Sequence, residues 1–566
     1  MKKPTRYNPK VVTDLRQLVR TGAECYGDKD IYIYLENKEE KHLTYKENYD
    51  RLLHFGTALG DLGLLGKTVA LVGDTHPSYM TAFLTIISAN GTTVPLDKDL
   101  PVDTLIDFMN IAEVEAVIYT EKFNKSLVTS AERLPRVKYF IPIHDTTEDC
   151  SKDNVIAFNE LLNLGRTLYE AGNTDYTDIE PDLEHVAAIL FTSGTTGTSK
   201  GVMLTHKNFV ATTNSACQVM NHFHRDNLFV DCLPINHSYE ITAGQLSIQN
   251  LGATMAINDS VRNALRNFAK YKPDALMLVP LYVETMYKKI WAEIAKKGMT
   301  KTVRALMKVS DGMLKVGIDM RAKFFSQITQ ALGGRIKYIV VGGAAMNPKI
   351  IKDFRSFGIY ITEGYGITEC SPLVAVNPLG AEKSRSVGPA VQCCEVKIDK
   401  AEDEETGEIL VKGDNVMRGY LKNEEATREV FTEDGWFRTG DIGYMDKDGY
   451  IFITGRKKNV IILSNGKNVF PEELEEHLAD RADVIAESVV IGRPNEHGDV
   501  VITAVVYPNP EFSDGKTADE IVAGVKEAIT EVNKSLPVYK QMRDIDIRTT
   551  EFEKTTTRKI KRFLVK

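Results

Sequence analysis

From about Leu43 to Phe357 the chain alternates short apolar runs with longer stretches in which apolar positions recur at helical spacing. That alternation predicts strands and helices in repeated βα units, because a run buried on both faces is uniformly apolar and a covering helix is apolar on one stripe only. KTVALVGD (Lys67–Asp74) followed by HPSYMTAFLTIISAN predicts a strand and then a helix. EAVIYT, HVAAILF (His185–Phe191), DALMLVP and RIKYIVVGG predict further buried strands, and Leu281 to Leu332 reads as one long helical stretch. From about Gly380 the texture changes. VQCCEVKID, the acidic turn AEDEETGE and ILVKG predict a β-hairpin, and DKDGYIFITGR a strand entered from an Asp-Gly turn. After Arg456 a smaller α+β unit follows, with helices over PEELEEHLAD and ADEIVAGVKEAITEVNKSL and strands over ESVVIG and VITAVVY. The expected fold is therefore α/β. A large N-terminal domain (1–455) of stacked βα sheets carries a β-rich, β-roll-like subdomain near 380–455, and a small C-terminal domain (456–566) follows.

Composition narrows the class without naming a function. A chain of 566 residues exceeds one compact core. At 43% hydrophobic and 26% charged it reads as an ordinary globular protein. A net charge of -8 argues against a nucleic-acid partner. The basic N-terminus leads into no apolar segment, and no run of about 18 apolar residues occurs, which argues against a signal peptide and a spanning helix. The seven cysteines are scattered without a CxxC pair and fit buried thiols in a reducing cytoplasm.

Chemistry concentrates in a few stretches. ILFTSGTTGTSKGVMLTH (Ile189–His206) places three glycines, five threonines and two serines around Lys200 directly after an apolar run. Exposed amides, hydroxyls and a lysine suit a phosphate tail, although the spacing is not that of a Walker loop. VVGGAAMNP ends a strand in small residues, which admit a flat ring or simply make a tight turn. EGYGITECSP sets Tyr365, Thr368 and Glu369 on a turn; a tyrosine can stack on a base and a carboxylate can hold Mg2+. In GWFRTGD, Asp441 lies at a glycine turn, as a turn former or as an acceptor for ribose hydroxyls. GRKKNV places Arg456, Lys457 and Lys458 at the domain boundary, and KTTTRKIKRF ends the chain with Lys559.

Taken in order, FTSGTTGTSKG, GGAA, GYGITE, GWFRTGD and GRKKNVI resemble the adenylate-forming superfamily of acyl-CoA synthetases, peptide-synthetase adenylation domains and luciferases. The long helical segment ahead of VVGGAAMNP is most similar to the long-chain fatty acid–CoA ligases. The resemblance spans about Leu43 to Arg562. It implies ATP-dependent conversion of a carboxylate to acyl-AMP with release of pyrophosphate, then transfer to coenzyme A.

By that resemblance Thr192 and Glu369 would hold Mg2+. Thr192, Ser193, Gly194, Thr195, Thr196, Gly197 and Lys200 would cradle the ATP phosphates. Gly343, Ala344 and Ala345, with Gly364, Tyr365, Gly366 and Thr368, would enclose adenine. Asp441 would accept the ribose hydroxyls beside Arg456. Lys559 would reach the α-phosphate and carboxylate as a point charge. Lys458 would be the hinge about which a mobile small domain turns. His237, in LPINHSYE, matches a position near the acyl carboxylate, or is a core histidine with its hydrogen bonds satisfied. The chain departs from many relatives at Gly455 and Asn459, where they carry aspartate, and at Arg558, where they carry glycine. Transfer to an acyl carrier protein, a non-catalytic nucleotide-binding role, peripheral membrane contact and a homodimer all remain open at this level.

Overall fold

The computed structural model describes residues 7–144, 154–192, 199–258, 263–402, 404–463, 467–496, 499–554 and 560–565. Two large sheets form the N-terminal part. In the first, strands Thr92–Leu96, Thr68–Val72, Ala116–Tyr119 and Tyr139–Pro142 run parallel. The sheet is completed by Val186–Thr192, parallel to Thr92–Leu96, then by Lys200–Thr205 and Gly419–Tyr420, each antiparallel to its neighbour. Its parallel strands are nearly unbroken apolar runs because helices cover them; Val69, Leu71, Val117 and Ile118 are fully buried.

The second sheet has eight strands. Its centre is parallel, through Tyr360–Gly366, Tyr338–Val341, Ala275–Leu278, Leu228–Val230, Thr254–Ala256 and Asp30–Glu36. Antiparallel strands Leu373–Val376 and Glu39–Thr44 close its two edges. A buried π-helical segment, Glu240–Leu246, lies among the residues that pack both sheets into one core.

The predicted hairpin of Cys394–Asp399 with Gly407–Gly413 is present. It continues into Phe437–Met445 and Ile451–Arg456 as a four-stranded antiparallel sheet. The C-terminal unit is a three-stranded sheet, Ile485–Pro494, Val500–Pro508 and Asp544–Ile547, with helices Pro471–Ala479 and Ala518–Lys534 and its own apolar core. The α/β class, with a large N-terminal and a smaller C-terminal part, is as expected.

Three local expectations are corrected. The stretch from Leu281 is not continuous: it forms helices Pro280–Lys296, Thr300–Lys315, Arg321–Phe324 and Ser326–Ala331. Gly298 and Gly317 break it, with φ of +67° and +86°, conformations that other residues rarely adopt. Asp441 sits inside a strand rather than at a turn, because its neighbour Gly440 alone takes the positive φ of +70°. Tyr365 likewise belongs to the strand Tyr360–Gly366, with Thr368 and Glu369 in the short 3-10 turn after it.

Candidate active site

The glycine-threonine segment connects two antiparallel strands in which Thr192 pairs with Lys200. The strands on either side therefore run antiparallel, whereas a Walker loop leads from a strand into a helix. Ser193, Gly194, Thr195, Thr196 and Gly197 lie outside the described residues, as does Lys559. The two ends of the connection are defined. The Thr192 hydroxyl donates to the Lys200 carbonyl at 3.4 Å, and the Lys200 ammonium stands 4.7 Å from the centre of the Tyr420 ring.

Tyr420 ties that connection to the turn carrying Glu369. Its hydroxyl donates to Glu369 Oε1 at 3.0 Å, and the backbone of Met417 donates to the Glu369 carbonyl at 2.8 Å. Burial, then the Glu369 charge, push the Tyr420 phenol well above its usual range, so it remains a donor. Thr192 and Glu369 offer a hydroxyl and a carboxylate, the hard oxygen donors that Mg2+ prefers, and so fit that ion. Tyr420 belongs to none of the motifs that mark the site in the sequence. The sequence carries no signal for it; only in the fold does Gly419, at a φ of +147°, set the segment on the edge of the first sheet.

A second cluster surrounds Asp441, only 3% exposed. The Tyr365 hydroxyl donates to its Oδ2 at 2.6 Å, and Arg456 Nε lies 2.6 Å from Oδ1. Strand register produces this, because Asp441 faces Arg456 directly across the antiparallel pair. Tyr365 is thus buried with its hydroxyl committed to Asp441. Gly364 and Gly366 flank it along the strand. At Gly366 a Cβ would lie 2.2 Å from the Pro372 carbonyl oxygen, so no larger residue fits there.

Gly343, Ala344 and Ala345 are exposed and form an open shelf, with Gly343 at φ +90°. Beneath the shelf, Glu363 accepts from the Met346 amide at 3.1 Å, and burial pushes its carboxyl up to about 7. Tyr239 approaches from the π-helical side. Its hydroxyl donates to the Val340 carbonyl at 3.1 Å, and a Cβ on Gly342 would lie 3.3 Å from its ring. His237, two residues earlier, is partly exposed rather than sealed in the core. Its carbonyl accepts from Ile241 at 2.9 Å, at the entry to the π-helix.

The segment between the N- and C-terminal parts is a single 3-10 turn, Lys457–Asn459. Lys457 pairs with the buried Glu408 at 2.9 Å, anchoring one side of the turn. Lys458 has an exposed side chain, yet the desolvation around it, followed by the nearby Arg456 charge, lowers its ammonium to about 8. Both departures from the common pattern meet one side chain, Glu472 of the C-terminal part. Asn459 donates to Glu472 Oε1 at 2.5 Å, and a Cβ on Gly455 would stand 2.6 Å from Oε2. An aspartate at either place would set carboxylate against carboxylate, and in place of Gly455 it would also collide. Glycine and asparagine here are therefore matched to a glutamate supplied from across the hinge. Asn347 with Asp480 at 3.2 Å, and Arg385 with Glu476 at 3.3 Å, also join the two parts. Arg558 lies outside the described residues.

Comparison with known proteins places the chain in a family. The AMP-binding enzyme family matches residues 19–421, and the AMP-binding enzyme C-terminal domain matches 458–565. The mouse long-chain-fatty-acid–CoA ligase 5 is 28% identical over 524 residues, covering 88% of this chain and 75% of that protein. The chloroplastic long-chain-fatty-acid–[acyl-carrier-protein] ligase AEE15 of Arabidopsis thaliana is also 28% identical, covering 93% and 79%. The anthranilate CoA ligase AuaEII, solved with anthranoyl-AMP, superposes with a TM-score of 0.76 at 18% identity, covering 98% of this chain and 97% of that one. ATP-bound MatB from Rhodopseudomonas palustris superposes with a TM-score of 0.72 at 22% identity, covering 98% of each chain. With both its N-terminal and its C-terminal part matched, the chain belongs to the AMP-binding enzyme family and is an AMP-forming ligase.

Proposed function

We propose that the protein activates a medium- to long-chain fatty acid, forming acyl-AMP and pyrophosphate from ATP and then the acyl thioester of coenzyme A with release of AMP. The observation that carries the site assignment is the convergence of Thr192, Lys200 and Glu369 through Tyr420. One hydroxyl, one ammonium and one carboxylate gather there at the mouth of a backbone connection rich in amides. The fatty substrate rests on the likeness to long-chain ligases.

The chemistry explains the set of residues. A carboxylate resists attack at its carbonyl because its charge repels nucleophiles. In the first half-reaction one carboxylate oxygen bonds to the α-phosphorus, and the bond to the pyrophosphate oxygen breaks. Two anions must meet, so preplaced positive charge lowers the barrier. Lys200 would hold the β- and γ-phosphates and Lys559 the α-phosphate. Mg2+ held by Thr192 and Glu369 would neutralise phosphate charge. Asp441, fixed by Tyr365 and Arg456, would accept the ribose hydroxyls, and the shelf Gly343–Ala345 would receive the adenine ring. In the second half-reaction the thiol sulfur bonds to the acyl carbon and AMP leaves with the bridging oxygen. Turning the small domain at Lys458 would withdraw Lys559 and admit the thiol.

A second acceptor is favoured by the likeness to the acyl-carrier-protein ligase, which covers more of this chain than the mouse enzyme does. One experiment separates the two. Purified protein is given ATP, Mg2+ and fatty acids from C4 to C18, with coenzyme A, with holo-acyl carrier protein, or with neither. AMP and acyl-CoA formed in the first arm support the proposal. Thioester formed only on the carrier transfers it to the second reading, and ADP as product refutes both.

A further inference from the structure

Helices Pro280–Lys296 and Thr300–Lys315 form a hairpin on the outside of the eight-stranded sheet. Val283, Met286, Ile290, Val303 and Met307 face inward to the second apolar cluster. Arg304 locks the two helices together by stacking 4.4 Å over the Trp291 ring. The outward face of the second helix is not a typical solvated surface. Lys301, Lys308 and Lys315 recur every seven residues, so they form one stripe along the axis. Val309 and, at the helix's C-cap, Val316 stand seven apart beside it, 53% and 74% exposed, and Ile318, past the turn at Gly317, is 49% exposed. Among the described residues no carboxylate pairs with the three stripe lysines within 4.0 Å.

The charge is as uneven as the polarity. Residues 281–318 hold eight lysines and arginines against three acids, a local +5 on a chain whose net charge is -8. One of the three acids, Asp311, turns inward and accepts from the Ser356 hydroxyl at 3.0 Å. An unpaired basic stripe beside an exposed apolar stripe, on an otherwise acidic protein, is the pattern of a helix lying on a lipid interface.

We propose that this hairpin docks the protein onto an anionic lipid surface, with Lys301, Lys308 and Lys315 meeting headgroups and Val309, Val316 and Ile318 entering the acyl boundary. The apolar stripe distinguishes a membrane from an acidic protein or a nucleic acid, which would need the lysines but not three exposed aliphatic side chains. The docking rests on charge and exposure, not on the ligase reading, so either can fail alone.

Co-sedimentation of the full chain with vesicles tests it. Vesicles of phosphatidylcholine with about 30% phosphatidylglycerol should bind the protein, pure phosphatidylcholine should not, and about 0.5 M salt should release most of it. A lysine near an anionic surface contributes about fivefold, so Lys301→Gln with Lys308→Gln and Lys315→Gln should weaken binding on the order of a hundredfold. Val316→Ser should weaken it severalfold with all charges in place. Both sets of substitutions face solvent, so their melting temperatures should match the parent. Equal binding by parent and triple variant, or no binding to the anionic vesicles, would overturn the proposal. Retention on an acidic carrier protein unaffected by Val316→Ser, with no vesicle binding, would overturn it as well.

Discussion

Asp441 accepts from the Tyr365 hydroxyl and pairs with Arg456, so its carboxylate is oriented before any nucleotide arrives. Asp441→Asn keeps the shape but removes the charge. It should raise the KM for ATP by about tenfold or more, as expected for a charge-assisted hydrogen bond worth about 1.5–3 kcal/mol, while leaving the KM for the fatty acid unchanged. An unaltered KM for ATP would remove Asp441 from the ribose site. A second acid makes a stability statement. Asp231 and Glu240 are buried beside each other at the π-helix; burial pushes Asp231 up to about 6 and Glu240 well above the carboxylate range. Glu240 therefore keeps its proton and bonds Asp231, while Gln245 bonds Glu240 at 2.6 Å. Because the folded value of Asp231 lies above the unfolded one near 3.9, the stability it contributes is whole below about pH 4 and is lost as pH rises through about 6. Asp231→Asn should escape that loss. Its melting temperature should gain on the parent as pH rises from about 4 to about 7, and parallel pH profiles would contradict the assignment.

Elements in this fold meet at closer range than side chains alone suggest. Helices Tyr45–Asp61 and Phe158–Glu170 pack at Gly165, where an added Cβ would fall 1.7 Å from the His54 carbonyl oxygen. Gly165→Ala must push the helices apart and should cost about 3 kcal/mol in urea unfolding, with a loss below about 0.5 kcal/mol showing that the helices part freely. The elements themselves are legible in the sequence. The strands at Thr68, Ala116, Val186, Ala275 and Tyr338 are short apolar runs, and the C-terminal helices carry clear amphipathic spacing. Which strands pair is not legible. Nothing local says that Gly419–Tyr420 joins the first sheet beside Lys200–Thr205, so the chain around Tyr420 gives no sign that it touches Glu369 and Lys200. The flanking glycines make Asp441 look like a turn residue, whereas strand register against Arg456 decides its place. Glu472, which explains Gly455 and Asn459, lies on another helix and cannot be connected with them by spacing.

For the whole molecule, the two parts meet through Lys457–Asn459 and through polar contacts that include Asn459 with Glu472, Asn347 with Asp480 and Arg385 with Glu476. Polar contacts of this kind can exchange partners, which suits a domain that would present different faces to the two proposed half-reactions. Lys458→Pro fixes one backbone torsion of the turn. It should spare acyl-AMP formation, followed as fatty-acid-dependent pyrophosphate release, and slow thioester formation about tenfold or more; an equal fall in both would place the hinge elsewhere. The central claim, that a carboxylate oxygen attacks the α-phosphate of ATP, is tested most directly by isotope transfer. A fatty acid labelled with 18O in its carboxylate is turned over with ATP and coenzyme A, and the nucleotide product is examined by mass spectrometry. The expected product is AMP carrying one 18O, left behind when the thiol displaces the adenylate. Unlabelled AMP, or ADP with the label in inorganic phosphate, would contradict it.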